Sequence, residues 1–219
     1  MNKWLTIIVW PVMAAPLLYL AFAWQQLPEK IPMHFNLRGE ADRMGDRQEL
    51  LVMALVLSGM NLLVFLLLTN IHRIDPKCQA AENRDRLVRI AFATVVLLAA
   101  VLCFIINSAQ QGSMQLRINV LFALVGLFFA FIGNYLPNLK PNYFAGLRLP
   151  WTLEDPDNWR KTHALAGKLW FAGGLLLALC CMLVPAIPGI VLFFVGMTAL
   201  TIIPCVYSYR LYRSQKKVS

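Results

Sequence analysis

Charge is scarce in this sequence. Asp, Glu, Lys and Arg make up 14% of its 219 residues, where an ordinary soluble domain has about 25%, and 59% are apolar, with a mean hydropathy of +0.61. That balance excludes a disordered chain, a coiled coil and a conventional soluble enzyme. Ionisable side chains are also missing from the interior of the long apolar stretches, which argues against a proton pump, an ion-coupled transporter or a voltage sensor. Four of the five cysteines (Cys103, Cys180, Cys181 and Cys205) lie in those stretches and Cys78 lies in a polar connector. An odd count so placed gives no disulfide framework. The adjacent Cys180 and Cys181 read most simply as small apolar packing residues. There is no H-E-x-x-H, metal-type C-x-x-C, nucleophile elbow, Walker loop or Rossmann fingerprint, and no inverted repeat is visible. The three histidines, His34, His72 and His163, sit on three separate segments, so a Ser-His-Asp triad has little support. No cofactor is expected.

What remains is hydrocarbon. A helix needs roughly 20 mostly apolar residues to cross a bilayer core. Uncharged stretches run from Trp4 to Trp24, Leu50 to Ile71, Ile90 to about Ser108 and Ile118 to about Leu136. The last, Leu169 to Tyr209, is 41 residues long. As one helix it would extend about 60 Å, twice the core thickness. Pro185-Ala186-Ile187-Pro188-Gly189 interrupts it, so it reads as two spans joined by a tight turn. The expected fold is therefore an all-α membrane protein with six transmembrane helices. The first span is longer than a signal-peptide core and reads as a retained helix bent at Pro11 and Pro16. Regions 1–72 (two spans and a loop) and 73–219 (four spans) are expected to form one structural unit.

The net charge of +9 is then a topology signal. With six spans, the termini and segments 72–89 and 137–168 share one side, which holds fifteen basic and six acidic residues. The other side holds five of each. The positive-inside rule makes the basic side cytoplasmic, termini included. The lipid bilayer absorbs the basic excess as a partner, and no direct nucleic-acid binding is expected.

Two connections are long enough to carry function. In the outer segment 25–49, Pro28 and Pro32 keep the chain extended. Met33-His34-Phe35-Asn36-Leu37 alternates apolar and polar residues, and Gly39 supplies a turn, so a small hairpin-like cap is expected. Glu29, His34, Asn36 and Asp42 can converge on its polar face. They form either a ligand or cation site or a network pinning the cap to the bundle. Whether a metal binds there stays open. In the inner segment 137–168, Asp155 followed by Pro156 is a helix-start signal. Trp159, His163, Ala166 and Trp170 then make one helical stripe. The spacing predicts an interfacial helix leading into the fifth span, with Trp151 and Trp159 at headgroup level. His163 is either a buried hydrogen-bonding side chain or a regulatory one. Segment 72–89 reads as a polar connector whose charges are solvated. Of the polar span residues, Ser58, Asn61, Thr94, Asn119 and Asn134 read as interhelical hydrogen-bonding groups.

Two of these segments look familiar. Leu27-Pro28, Ile31-Pro32, His34-Phe35-Asn36, Gly39 and Asp42 resemble a bacterial membrane domain of unknown function. Gly133-Asn134, Asn142, Gly146, Arg148, Pro150-Trp151-Thr152-Leu153, Trp159, Thr162-His163 and Gly167, with Asp75-Pro76, resemble the signature of the SdpI family of immunity proteins. The resemblance implies protection against a secreted, amphipathic peptide toxin, and a relay of the toxin's presence to a cytoplasmic transcriptional repressor. It carries over no catalytic residues. On that reading Glu29, His34, Asn36 and Asp42 meet the ligand outside. Arg148, Trp151, Thr152, Trp159 and His163 report inside. Two readings from other classes stay beside it: a membrane hydrolase using His34 at the outer surface, and a small permease.

Overall fold

The computed structural model describes residues 3–35, 41–75, 82–111 and 118–216. Helix α1 (Lys3–Ala23) carries Pro11 and Pro16 inside one continuous element. A short 3₁₀ turn, Trp24–Gln26, leads to strands β1 (Ile31–Phe35) and β2 (Ala41–Gly45), which pair antiparallel. Helix α2 (Arg47–Ile74) starts on Asp46, whose side chain accepts from the Glu49 amide at 2.8 Å. That cap satisfies one of the amides a helix start leaves orphaned. Helices α3 (Arg84–Gln111) and α4 (Ile118–Tyr135) follow, and a 3₁₀ turn, Leu136–Asn138, closes α4. The segment after Asn138, called the inner loop after the side the charge count assigns to it (as the hairpin is called outer), then leads through α5 (Pro150–Glu154) to α6 (Pro156–Leu183) and α7 (Ala186–Lys216).

Asp155 caps α6 as the sequence predicts, accepting from the Asp157 amide at 2.8 Å with Pro156 in the first turn. The interfacial helix and the fifth span are one uninterrupted element. The break before the sixth span is tighter than the Pro185–Gly189 run suggested. Only Val184 and Pro185 leave helical geometry, because Pro188 falls in the first turn of α7, where no amide donor is needed. Asn119 holds this turn from the neighbouring span, donating to the Val184 carbonyl at 2.9 Å.

Six helices are long and apolar enough to cross a membrane. Large apolar side chains on their outer faces are exposed, among them Phe22, Leu63, Leu176, Leu183 and Val195, as a lipid solvent requires. The helices pack as two groups of three. Helices α1, α2 and α3 contact one another, as do α4, α6 and α7, and α3 meets α4 between the groups. The α4–α6 contact is built on small residues. A Cβ added to Gly133 would lie 2.5 Å from the Phe171 amide, and one on Gly174 would lie 2.5 Å from the Gly126 carbonyl. Bare glycines therefore let the two backbones touch, which is how membrane helices gain dispersion energy when lipid offers no hydrophobic drive.

Candidate functional site

Polar side chains gather at the two ends of the bundle. At the outer end the hairpin rests its apolar face on α1, α2 and α3. Ile31 and Leu27 are buried with Leu20, Leu50, Leu102 and Ile106, and Met33 packs against that cluster. His34 points the other way. Its Nδ1 lies 2.6 Å from Asp42 Oδ1, and the two side chains are 67% and 44% exposed. The alternation read from sequence thus places Met33 inward and His34 outward. Arg43 pairs with Glu49 at 2.6 Å, and Arg47 donates to the Leu27 carbonyl and, at 3.3 Å, to that of Pro28. These contacts clip β2 and the segment leading into β1 to the start of α2. Of the four residues expected to converge, the structure brings together His34 and Asp42. Glu29 is exposed and joins neither, and Asn36 lies outside the described residues. A neighbouring cluster was not foreseen. Gln110 donates to Gln26 and accepts from the Tyr19 hydroxyl at 3.1 Å, which ties α1 to α3.

At the inner end the polar groups are buried. Trp159 is 1% exposed, and its indole N–H donates to the Leu139 carbonyl at 2.7 Å. Its ring stacks on His163, with centroids 3.9 Å apart and planes 20° apart. His163 Nε2 accepts the Leu147 amide at 3.0 Å, and Nδ1 lies 2.9 Å from the Trp159 carbonyl. An amide N–H can only donate, so Nε2 is bare and Nδ1 carries the hydrogen. The contacts thus assign a neutral imidazole with a single tautomer. Gly146 lies against this ring with φ +101°, and a Cβ there would collide with Nε2. Only glycine suits both the backbone and the space.

The expected headgroup position of Trp159 is corrected by this burial. The stripe through Trp159, His163 and Ala166 faces the inner loop rather than lipid, because 139–147 folds back over it. Asn142 holds that loop in shape, accepting from the amides of Phe144 and Ala145 at 3.0 and 2.7 Å and donating to the Lys140 carbonyl at 2.9 Å. Asn83, fully buried, clasps the Lys140 backbone at both its N–H (2.8 Å) and its carbonyl (2.9 Å). Asp75 accepts from the Tyr143 amide at 3.2 Å. The connector between α2 and α3 is therefore more than a solvated face, since it anchors the loop.

A second knot joins α5, α6 and α7. Trp151 donates to the Ser208 hydroxyl at 2.9 Å, which donates to Asn158 Oδ1 at 2.7 Å. Asn158 returns a bond to the Ser208 carbonyl at 3.0 Å and accepts from Thr162 at 3.0 Å. Thr152 is buried, accepts from the Leu149 amide and reaches the Leu147 carbonyl, each at 2.9 Å. Of the five expected inner residues, Thr152, Trp159 and His163 are thus enclosed and Trp151 is half-buried. Arg148 is exposed and donates to the Tyr143 carbonyl at 2.7 Å. Asn83, Asn158 and Ser208 were missed by sequence reasoning. An isolated amide or hydroxyl at a span's end was the available signal, and it names no partner. Among the described residues no three His, Cys, Asp or Glu side chains cluster as a metal site.

A bundle of six membrane-length helices with polar structure at both ends defines a multi-pass helical membrane protein. More particularly, the SdpI/YfhL protein family model matches residues 138–208, and that of a domain of unknown function (DUF1648) matches residues 12–57. The first match covers the inner loop, α5, α6 and α7 as far as Ser208. The second covers the outer hairpin and the adjoining parts of α1 and α2. The chain is similar to the Immunity protein SdpI of Bacillus subtilis (strain 168), at 24% identity over 156 residues covering 71% of this chain and 70% of that one. A 41-residue stretch is 49% identical to an uncharacterized protein of Archaeoglobus fulgidus, covering 19% of this chain and 22% of that one. No solved structure matches.

Proposed function

We propose that this protein confers immunity to a secreted, membrane-active peptide by engaging it at the outer end of the bundle. The observation that carries the reading is the similarity to the Bacillus subtilis immunity protein over 71% of this chain. The hairpin supports it physically. Amphipathic peptides act by burying an apolar face at the bilayer surface while keeping a polar face in water. The cap sets the exposed His34–Asp42 pair beside exposed Met44 and the lipid-facing helices, a surface of matching amphipathic character. On this reading Glu29 and Asn36 also meet the peptide.

On this reading the protein resides in a bacterial plasma membrane with both termini cytoplasmic, and the hairpin faces out. The inner platform is the surface from which a cytoplasmic repressor is held. Arg148 and the edge of Trp151 meet the partner there, while Thr152, Trp159 and His163 keep the platform rigid. A relay requires that the peptide bind two states of the bundle with different affinity. The test is protection. Cells sensitive to amphipathic peptides are challenged with and without the expressed protein. Survival that rises with expression for at least one peptide supports immunity, and unchanged sensitivity to every peptide tried contradicts it. Reporters fused after Arg38 and after Asp155 are expected to be external and cytoplasmic respectively.

A further inference from the structure

A groove of about 530 Å³ opens where α3 meets α4, at the same end as the inner platform. One wall carries Glu82, just before α3, with Asp85, Arg86 and Arg89 of α3, and the other carries Asn134 and Tyr135 of α4 with Asn138 of the 3₁₀ turn that follows. Two guanidiniums and two carboxylates share one groove, with carboxamides opposite. A simple anion site would show an excess of positive charge, and a cation site an excess of negative. This lining is balanced, so it suits a ligand that bears both signs. Nη1 of Arg86 donates to the Glu82 carbonyl at 3.0 Å, which holds its guanidinium against the first turn of α3.

Position narrows the ligand further. Arg89 is the last charged residue before the uncharged length of α3, and Asn134 and Tyr135 are the last turn of α4. The groove therefore falls where hydrocarbon gives way to headgroups. Beyond it, both helices turn apolar on their exposed faces. Val96 lies two turns past Arg89, and Phe131 and Leu127 lie one and two turns from Asn134. Exposed apolar side chains on both helices thus follow the polar groove. One cation, one anion and a hydrocarbon tail describe a zwitterionic phospholipid.

We propose that this groove binds a phospholipid with a primary-ammonium headgroup, phosphatidylethanolamine in type, its phosphate at Arg86 and Arg89 and its ammonium at Glu82 and Asp85. Arginine recognises phosphate through a planar fork of donors. A primary ammonium offers three N–H donors to carboxylates, whereas a choline headgroup offers none and favours an aromatic cage. The Asn134 and Asn138 carboxamides supply neutral donors and acceptors to the ester and glycerol oxygens. The bound lipid bridges α3 and α4, where the two helix groups meet.

The experiment is native mass spectrometry of the purified full-length protein with equimolar phosphatidylethanolamine, phosphatidylcholine and phosphatidylglycerol of identical acyl chains. The wild type is expected to retain the ethanolamine lipid roughly tenfold over the choline lipid, the scale of a charge-assisted hydrogen bond. The E82Q/D85N variant should retain both lipids equally, and R86Q/R89Q should retain neither above background. Should R86Q/R89Q fail to stay monodisperse, Asn134→Leu reports instead from the opposite wall, and it too should cut retention. Equal retention of ethanolamine and choline lipids by the wild type would overturn the proposal, as would a preference untouched by E82Q/D85N. Preferential retention of phosphatidylglycerol would reveal a plain anion site. Displacement by soluble glycerophosphoethanolamine at the lipid's own concentration would assign the groove to a free headgroup compound and overturn the lipid reading.

Discussion

The two ends of this bundle use polar residues in opposite ways. At the outer end His34 and Asp42 form a single pair that leaves much of both side chains in water. At the inner end His163, Thr152, Asn83 and Asn158 are sealed, and each spends its hydrogen bonds on backbone or on another buried group. Exposed pairs contribute little to stability, whereas a buried polar group left without its partner costs the full desolvation. Substitutions at the two ends should therefore separate. Inner ones unfold the protein, and outer ones leave it folded and change what it can bind.

The largest effect is expected from Trp159→Ala. Removing a fully buried indole that stacks on His163 and bonds Leu139 should cost about 3–5 kcal/mol, read as loss of folded protein in a detergent melt. Gly146→Ala should follow closely, because it forces a side chain into a left-handed backbone and against the imidazole. Its melt should fall even though only one methyl is added, and a wild-type melt would break the picture of a loop packed directly on His163. Next come Asn158→Ala and Ser208→Ala, each expected to cost about 1–3 kcal/mol. A double-mutant cycle should show strong coupling, because the Ser208 hydroxyl donates to Asn158 Oδ1 across α6 and α7. Independent, additive effects would contradict the knot. The smallest change is expected at the outer end. His34→Ala and Asp42→Ala should shift stability by no more than about 0.5 kcal/mol. A large loss of folded protein there would mean that the cap is a fastening rather than a binding surface.

The contrast also explains what could be read from the sequence. Six spans are legible because lipid forbids charge over long stretches, and that rule needs no knowledge of neighbours. The cap of α6 is legible because Asp155 and Pro156 act within one turn. The outer hairpin is legible because Met33 and His34 alternate as a half-buried strand must. The inner platform is not. Trp159 and His163 were correctly placed on one stripe, yet the stripe's partner is a loop whose contact residue, Leu139, is 20 positions away. Asn83 meets Lys140 across 57 positions, and Ser208 meets Asn158 across 50. No local pattern encodes such pairings. The glycines of α4 and α6 lie between these cases. Gly126 and Ala130, four apart, are a small-residue signal, but which helix they face is decided by the fold.

The central claim is that the outer hairpin binds the peptide and the inner platform holds the fold. It is tested most directly by comparing peptide killing of cells that carry wild-type protein and the H34A/D42A variant at matched membrane levels. The account predicts that the variant accumulates like wild type and protects far less. Equal protection at equal abundance would contradict it.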